Sequence, residues 1–156
     1  MKPYRKNVGI IVFNRAGQVL AGERIQTGGA LQFPQGGLDA GETPLEGALR
    51  ELYEETGLQL AGPPVAELGE WLRYDFPPDV PAKLQKYQGQ EQKWFFFFWD
   101  GDPAALPLDH HDQEFERLIW TDFATVVESI VPFKRAVYET LLRHGGPIIA
   151  AHASAF

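Results

Sequence analysis

The chain has 156 residues, 44% of them hydrophobic and 22% charged, with no cysteine and a formal net charge of -7. That composition supports one hydrophobic core and excludes a disordered chain, a disulfide scaffold, a thiolate zinc site and a cysteine nucleophile. The acidic balance argues against a protein that coats DNA or RNA. No apolar stretch approaches the ~20 residues of a membrane helix, and MKPYRKNVG lacks the apolar core of a signal peptide, so a cytoplasmic protein with no membrane partner is expected.

In chain order, Asn7 to Phe13 reads as a strand, Asn14 to Gly17 as a turn, and Gln18 to Gly22 as the hairpin partner. Residues 26 to 42 are glycine-rich around Pro34 and form a shaped loop. Thr43-Pro44-Leu45-Glu46 has the capping-box form with proline at the first helical position. Leu45, Ala48, Leu49 and Leu52 follow as an apolar stripe and Gly57 as a C-cap, which predicts a helix over 44–56.

Leu68 to Tyr74 is a predicted strand, residues 75 to 92 a long loop, and KWFFFFW (93–99) a strand buried on both faces. Arg117 to Thr121 gives another strand, and Asp122 opens a short helix that ends near Pro132. A last helix is expected from about Pro132 to Arg143, with Phe133 heading its apolar stripe. The domain then spans 1–144, and 145–156 is a small-residue tail expected to be loosely held. Interleaved strands and helices predict an α/β fold with a mixed β-sheet sandwiched between α-helices.

Charge is concentrated on one of these elements. Asp39, Glu42, Glu46, Glu51, Glu54 and Glu55 stand against Arg50 alone. At ~100° per residue, Glu51, Glu54 and Glu55 share an arc of about 100° beside the leucine stripe. Acids at such spacing repel one another. A solvated acidic face would show this pattern, and so would an all-oxygen site for Mg²⁺ or Mn²⁺. With no histidine nearby, the set does not suit zinc.

From Gly36 to Leu58 the residues GGLDAGETPLEGALRELYEETGL decide between these. They resemble the Nudix box, G-x5-E-x7-R-E-U-x-E-E-x-G-U with U a bulky apolar residue, at every fixed position: Gly36, Glu42, Arg50, Glu51, Glu54, Glu55 and Gly57. Outside the box, YRKNVGIIVFNRAGQVL, LQFPQGG, WLRYDFP, QKWFFFF, QEFERLIW and VPFKRAVY resemble the branch that holds RNA pyrophosphohydrolases and plant-type diadenosine tetraphosphate hydrolases.

The resemblance implies a Nudix fold and a Mg²⁺-dependent hydrolase, with Mn²⁺ as a substitute. It would cut a pyrophosphate bond and convert the 5′-triphosphate or diphosphate end of RNA to a 5′-monophosphate, which starts RNA decay. The alternative is hydrolysis of dinucleoside polyphosphates such as diadenosine tetra- or pentaphosphate. It further implies that Glu51, Glu54, Glu55 and Glu114, with a backbone carbonyl near Gly36 or Gly37, hold the metal. Any of the four glutamates could take the proton from water. Glu42 and Arg50 would fix the loop on the helix.

Phe133 and Lys134 would meet base and phosphate, although core packing for Phe133 and a surface role for Lys134 remain open. Arg5, Arg24, Tyr74 and Lys93 would face the polyphosphate, and Gln32 and Gln35 would line the pocket. His110 and His111 read as solvated. Asp75, Asp79 and Glu91 oppose Lys83 and Lys86 in the 75–92 stretch, and Glu23 precedes Arg24, which weakens steering of RNA. A monomer is expected, with no DNA or protein partner indicated.

Overall fold

The computed structural model describes residues 1–25, 29–109 and 113–153. His110 and His111 lie outside them.

The middle of the molecule is a parallel pair, β1 (Tyr4–Phe13) and β7 (Gly89–Phe98), in register from Tyr4↔Gly89 to Phe13↔Phe98. Successive side chains of a strand point to opposite faces, so the phenylalanine run feeds two cores. Phe95 and Phe97 join Val8, Ile10 and Val12 on one face, where α1 (Pro44–Thr56) packs through Ala48 and Leu52. Trp94 and Phe96 join Ile11 and Phe13 on the other, beneath α2 (Phe123–Ser129) and α3 (Arg135–Ala153). Covering both faces buries both sets, as the uninterrupted apolar run predicts.

β2 (Val19–Arg24) meets β1 at Phe13↔Val19 and carries β3 (Leu31–Gln32) and β8 (Phe115–Thr121) as antiparallel neighbours. β4 (Gln35–Gly37) pairs with β1 over Asn7 to Gly9. β5 (Ala66–Glu67) and β6 (Leu72–Asp75) both pair with β7. The result is an eight-stranded mixed sheet between helices, as expected. Among the described residues no helix is long and apolar enough to cross a membrane.

Three boundaries differ from expectation. The single strand foreseen at 68–74 is two pieces, parted by the exposed Gly69–Glu70. The 75–92 stretch is not all loop, because β7 begins at Gly89. Its polar start, Gln90-Glu91-Gln92, hid a strand whose polar groups are paired inside the sheet: Gln92 Nε2 donates to Asn7 Oδ1 at 2.9 Å, and Arg73 Nε to Glu91 at 2.7 Å.

The third difference is the end of the chain, where α3 runs on through Gly145-Gly146-Pro147 to Ala153 instead of stopping at Arg143. A proline inside a helix forfeits one hydrogen bond, but packing offsets it. Ile149 is buried, the His152 ring lies 5.3 Å from Phe13, and Gly145 sits so close to Phe96 that a Cβ there would come within 2.7 Å of its ring.

Candidate active site

α1 starts as its sequence demands. Thr43 N–H donates to Glu46 Oε1 (2.9 Å) and Glu46 N–H to Thr43 Oγ1 (3.2 Å), the reciprocal bonds of a capping box. It ends at Gly57, whose φ of 79° and close approach to Pro107 both exclude a side chain.

Between the caps, Arg50 ties the preceding loop to the helix. Its Nε and Nη2 donate to the two oxygens of Glu42 at 2.7 and 2.9 Å, and Nη2 also reaches the Gly37 carbonyl at 2.8 Å. The same side chain turns Nη1 to Glu51 (2.8 Å) and Glu54 (2.9 Å). With Asp39 3.3 Å from Nε, one guanidinium therefore meets four carboxylates. The bonds from Arg50 hold the Glu42 carboxyl below the usual carboxylate range.

Glu55 is the buried member of the set. Oε1 accepts from the Gln35 N–H at 2.6 Å, and Oε2 is buried with no hydrogen-bond partner among the described residues. Burial, and then the neighbouring Glu114, push its carboxyl well above the ordinary value. Burial also raises Glu51, against the pull of Arg50. Glu114 comes from the residue before β8, where its carbonyl accepts from the Ile25 N–H at 3.2 Å. Gly36 faces Glu51 so closely that a Cβ there would lie 2.0 Å from its carboxylate.

The donor set suits a hard cation: several carboxylates, one of them with an orphaned buried oxygen, beside a backbone left bare by glycine. As the side chains stand, no three acidic groups among the described residues are gathered on one point. Arg50 occupies Glu51 and Glu54 instead.

Next to these acids opens a cavity of about 560 Å³. Glu51, Asp79 and Glu114 bring negative charge to its walls beside Gln35 and Gly36, and Arg5, Arg24, Lys83 and Lys134 bring positive charge. Arg5 Nη1 donates to Gln90 Oε1 (2.9 Å), and Gln90 in turn donates to the Tyr74 hydroxyl. Tyr74 is buried, which pushes its phenol up to about 12.

Phe133 lines the cavity, 39% exposed and 5.6 Å from the Tyr74 ring. Core packing at the head of the last helix is thereby ruled out: Pro132–Lys134 is a 3₁₀ turn that precedes α3 and swings the ring outward. Lys134 is not a surface charge either. It is buried, donates to Gln32 Oε1 at 3.0 Å, and burial followed by the charge of Arg24 lowers its ammonium to about 8.

One expected residue is elsewhere. Lys93 lies on the α1 face of β7, where its ammonium donates to the Leu68 carbonyl and approaches Glu67 at 3.9 Å. Period two decides this, since Gln90 and Gln92 face the cavity side and Lys93 faces away.

The acids that weakened the case for RNA are largely engaged outside the cavity: Asp75 with Tyr4 Oη at 2.6 Å, Glu91 with Lys6 and Arg73, Glu23 with Arg117 at 2.7 Å. Sequence reasoning passed over Asn7, Gln90 and Gln92, the polar layer that orients Arg5, Tyr74 and Gln35. Their trace in the sequence is a run of polar residues at the start of each of two otherwise apolar strands, Arg5 to Asn7 and Gln90 to Lys93.

The NUDIX domain family matches residues 3–141. An RNA pyrophosphohydrolase of Brucella anthropi is 45% identical over 154 residues, covering 90% of this chain and 88% of its own. One from Cereibacter sphaeroides is 44% identical over 154 residues, covering 95% and 94%. Among solved structures, the MutT protein of Methanosarcina mazei aligns with a TM-score of 0.67 at 19% identity, over 92% of this chain and 96% of that one. An Ap4A hydrolase of C. elegans aligns at 0.63 and 16% identity, over 97% and 99%. These two likenesses speak to fold alone.

Proposed function

The chain belongs to the Nudix family, and on that premise we propose that it is a pyrophosphohydrolase that trims the 5′-triphosphate or diphosphate end of RNA to a 5′-monophosphate. The observation that carries this is the cavity itself, in which the carboxylate helix faces Arg5, Arg24, Lys83 and Lys134 with the half-open Phe133 ring at the rim. Relatives named RNA pyrophosphohydrolase, similar over nine-tenths of the chain, support RNA over a dinucleotide.

Glu51, Glu54, Glu55, Glu114 and the Gly36 carbonyl would hold Mg²⁺, with Mn²⁺ as a substitute. Such an ion supplies neutralisation of the polyphosphate oxygens and a more acidic water. The chain's own groups do the rest. Arg5, Arg24 and Lys134 bind phosphate oxygens and draw charge off the departing phosphate as its bridging P–O bond breaks. Phe133 offers its face to a base. The attacking water loses its proton to a carboxylate on the cavity wall, which selects Glu51 or Glu114 over the buried Glu55.

The test is kcat/KM with Mg²⁺ on a short 5′-triphosphorylated RNA and on diadenosine tetraphosphate in parallel. A preference for RNA is expected. A preference for the dinucleotide would assign the cavity to dinucleoside polyphosphates, and no turnover of either would overturn the reading as a whole.

A further inference from the structure

The wall formed by Phe76, Pro77 and Val80 is shared between the catalytic cavity and a second hollow of about 320 Å³, which Lys2, Tyr87 and Gln88 also line. Lys2 and Gln88 then border a third hollow of about 580 Å³, with Tyr4, Lys6, Arg73 and Glu91. The three run round the ends of β1, β6 and β7. Arg5, Tyr74 and Gln90 face the cavity, and their neighbours Lys6, Arg73 and Glu91 face the opposite way, because side chains alternate along a strand.

The far face is a ladder of cations and rings. Lys6 Nζ lies 4.5 Å from the centre of the Trp71 ring and the Arg73 guanidinium 4.6 Å from that of Tyr4; at the second hollow Lys86 lies 5.3 Å from the centre of the Tyr87 ring. Lys6 and Arg73 share Glu91, yet their side chains remain 57% and 60% exposed. Lys2 is exposed, and among the described residues it has no partner. Of the acids here, Glu91 lines the third hollow and Asp75 is held by Tyr4 and Gln88. Lys2, Lys6 and Arg73 line the third hollow with Glu91 as its acid, on a chain whose net charge is -7.

We propose that this face is the track for the RNA strand that follows the 5′ end. The inference rests on the RNA-end reading above. Cations interleaved with aromatic rings suit single-stranded nucleic acid, phosphates meeting the former and bases the latter. A shared wall joins the track to the cavity that takes the triphosphate.

The experiment compares kcat/KM on a 5′-triphosphorylated dinucleotide and on an unstructured 5′-triphosphorylated RNA of about twelve nucleotides, at several salt concentrations. Wild type is expected to favour the longer RNA at low salt. The Lys2→Ala/Arg73→Ala double variant is expected to lose about 5- to 10-fold of that advantage and about 1 to 2 units of salt slope, the share of two phosphate contacts. Lys2→Ala alone, at an exposed and unpartnered position, should show part of the loss and guards against misfolding of the pair. Fluorescence anisotropy with the 5′-monophosphorylated longer RNA reads the same contacts without turnover and should weaken in parallel. An unchanged length advantage overturns the track, as does an equal loss on both substrates. Failure of wild type to turn over either RNA overturns the RNA-end reading instead.

Discussion

The acidic and the basic side chains gathered at the cavity are built in opposite ways. Three of the acids come from one helix: Glu51, Glu54 and Glu55 are fixed by helical spacing, Arg50 ties Glu51 and Glu54 to the loop, and the Gln35 N–H holds Glu55. The basic set is assembled from β1, β2, the 3₁₀ turn at Ala82–Leu84 and the turn before α3, which contribute Arg5, Arg24, Lys83 and Lys134. Local construction makes the acidic set robust to changes elsewhere in the fold. Dispersed construction leaves each cation with its own support: Arg5 rests on the polar layer of Asn7, Gln90 and Gln92, and Lys134 on Gln32.

The largest effect should come from the acidic set. Glu54→Gln removes one charge from the donor set, and kcat should fall about 100-fold or more. Arg50 keeps its bonds to Glu42 and Gly37 in that variant, so the melting temperature should barely move. Near-wild-type turnover would show that the helix carboxylates do not hold the metal.

Arg50→Ala breaks the local construction itself. It strips Glu42, 13% exposed, of both its bonds from the guanidinium, and the loss should be about 2 kcal/mol, the scale of a hydrogen-bonded charge. The sign in pH follows from Glu42. Its carboxyl titrates below its ordinary 4.5 in the folded chain, so its stabilisation is complete above that value and is lost as pH falls through the lower folded value. Urea titrations between pH 3 and 6 should show wild type and variant converging at the acid end; a constant gap would mean that Arg50 acts by packing.

The same contrast explains what the sequence made legible. Helical spacing, the capping box and Gly57 are local signals, and each reappears in the structure where it was expected. The Nudix box needs only neighbouring residues to be read. Lys93, by contrast, was misplaced because its face depends on where β7 begins, and the polar start of that strand concealed it. Phe133 and Lys134 needed tertiary packing to be told apart: one turn exposes the ring and buries the ammonium. The continuation of α3 past Gly146 and Pro147 was illegible for the same reason, since contacts with Phe13 and Phe96 outweigh poor helix formers.

Beside the basic set, Phe133→Ala should reduce kcat/KM on RNA about 10-fold, within the range for one stacked base. Because the ring is 39% exposed, its removal should cost little stability. A variant that melts much earlier while retaining its activity on RNA would return Phe133 to the core.

Lys134→Met gives the smallest effect and tests the burial of charge most directly. The lysine releases its proton near 8 in the folded chain and near 10.5 in the unfolded one, pushed down by burial and by Arg24 although Glu55 and Glu114 pull the other way. Between these values the unfolded chain binds more protons, so the contribution of this residue to stability rises with pH across the window. Methionine keeps the apolar stem beside Tyr74 and Phe133 and carries no charge to bury. Relative to wild type, the variant should therefore be most stable below pH 8 and lose that margin towards pH 10.5. It also lacks the ammonium proposed to meet phosphate, so its KM for triphosphorylated RNA should be several-fold higher at pH 7 and converge on wild type at alkaline pH, where wild type loses the same charge. A stability difference that stays flat from pH 7 to 10 would mean the ammonium is as well solvated as a surface lysine. The phosphate-binding role would then have to rest on Arg5 and Arg24.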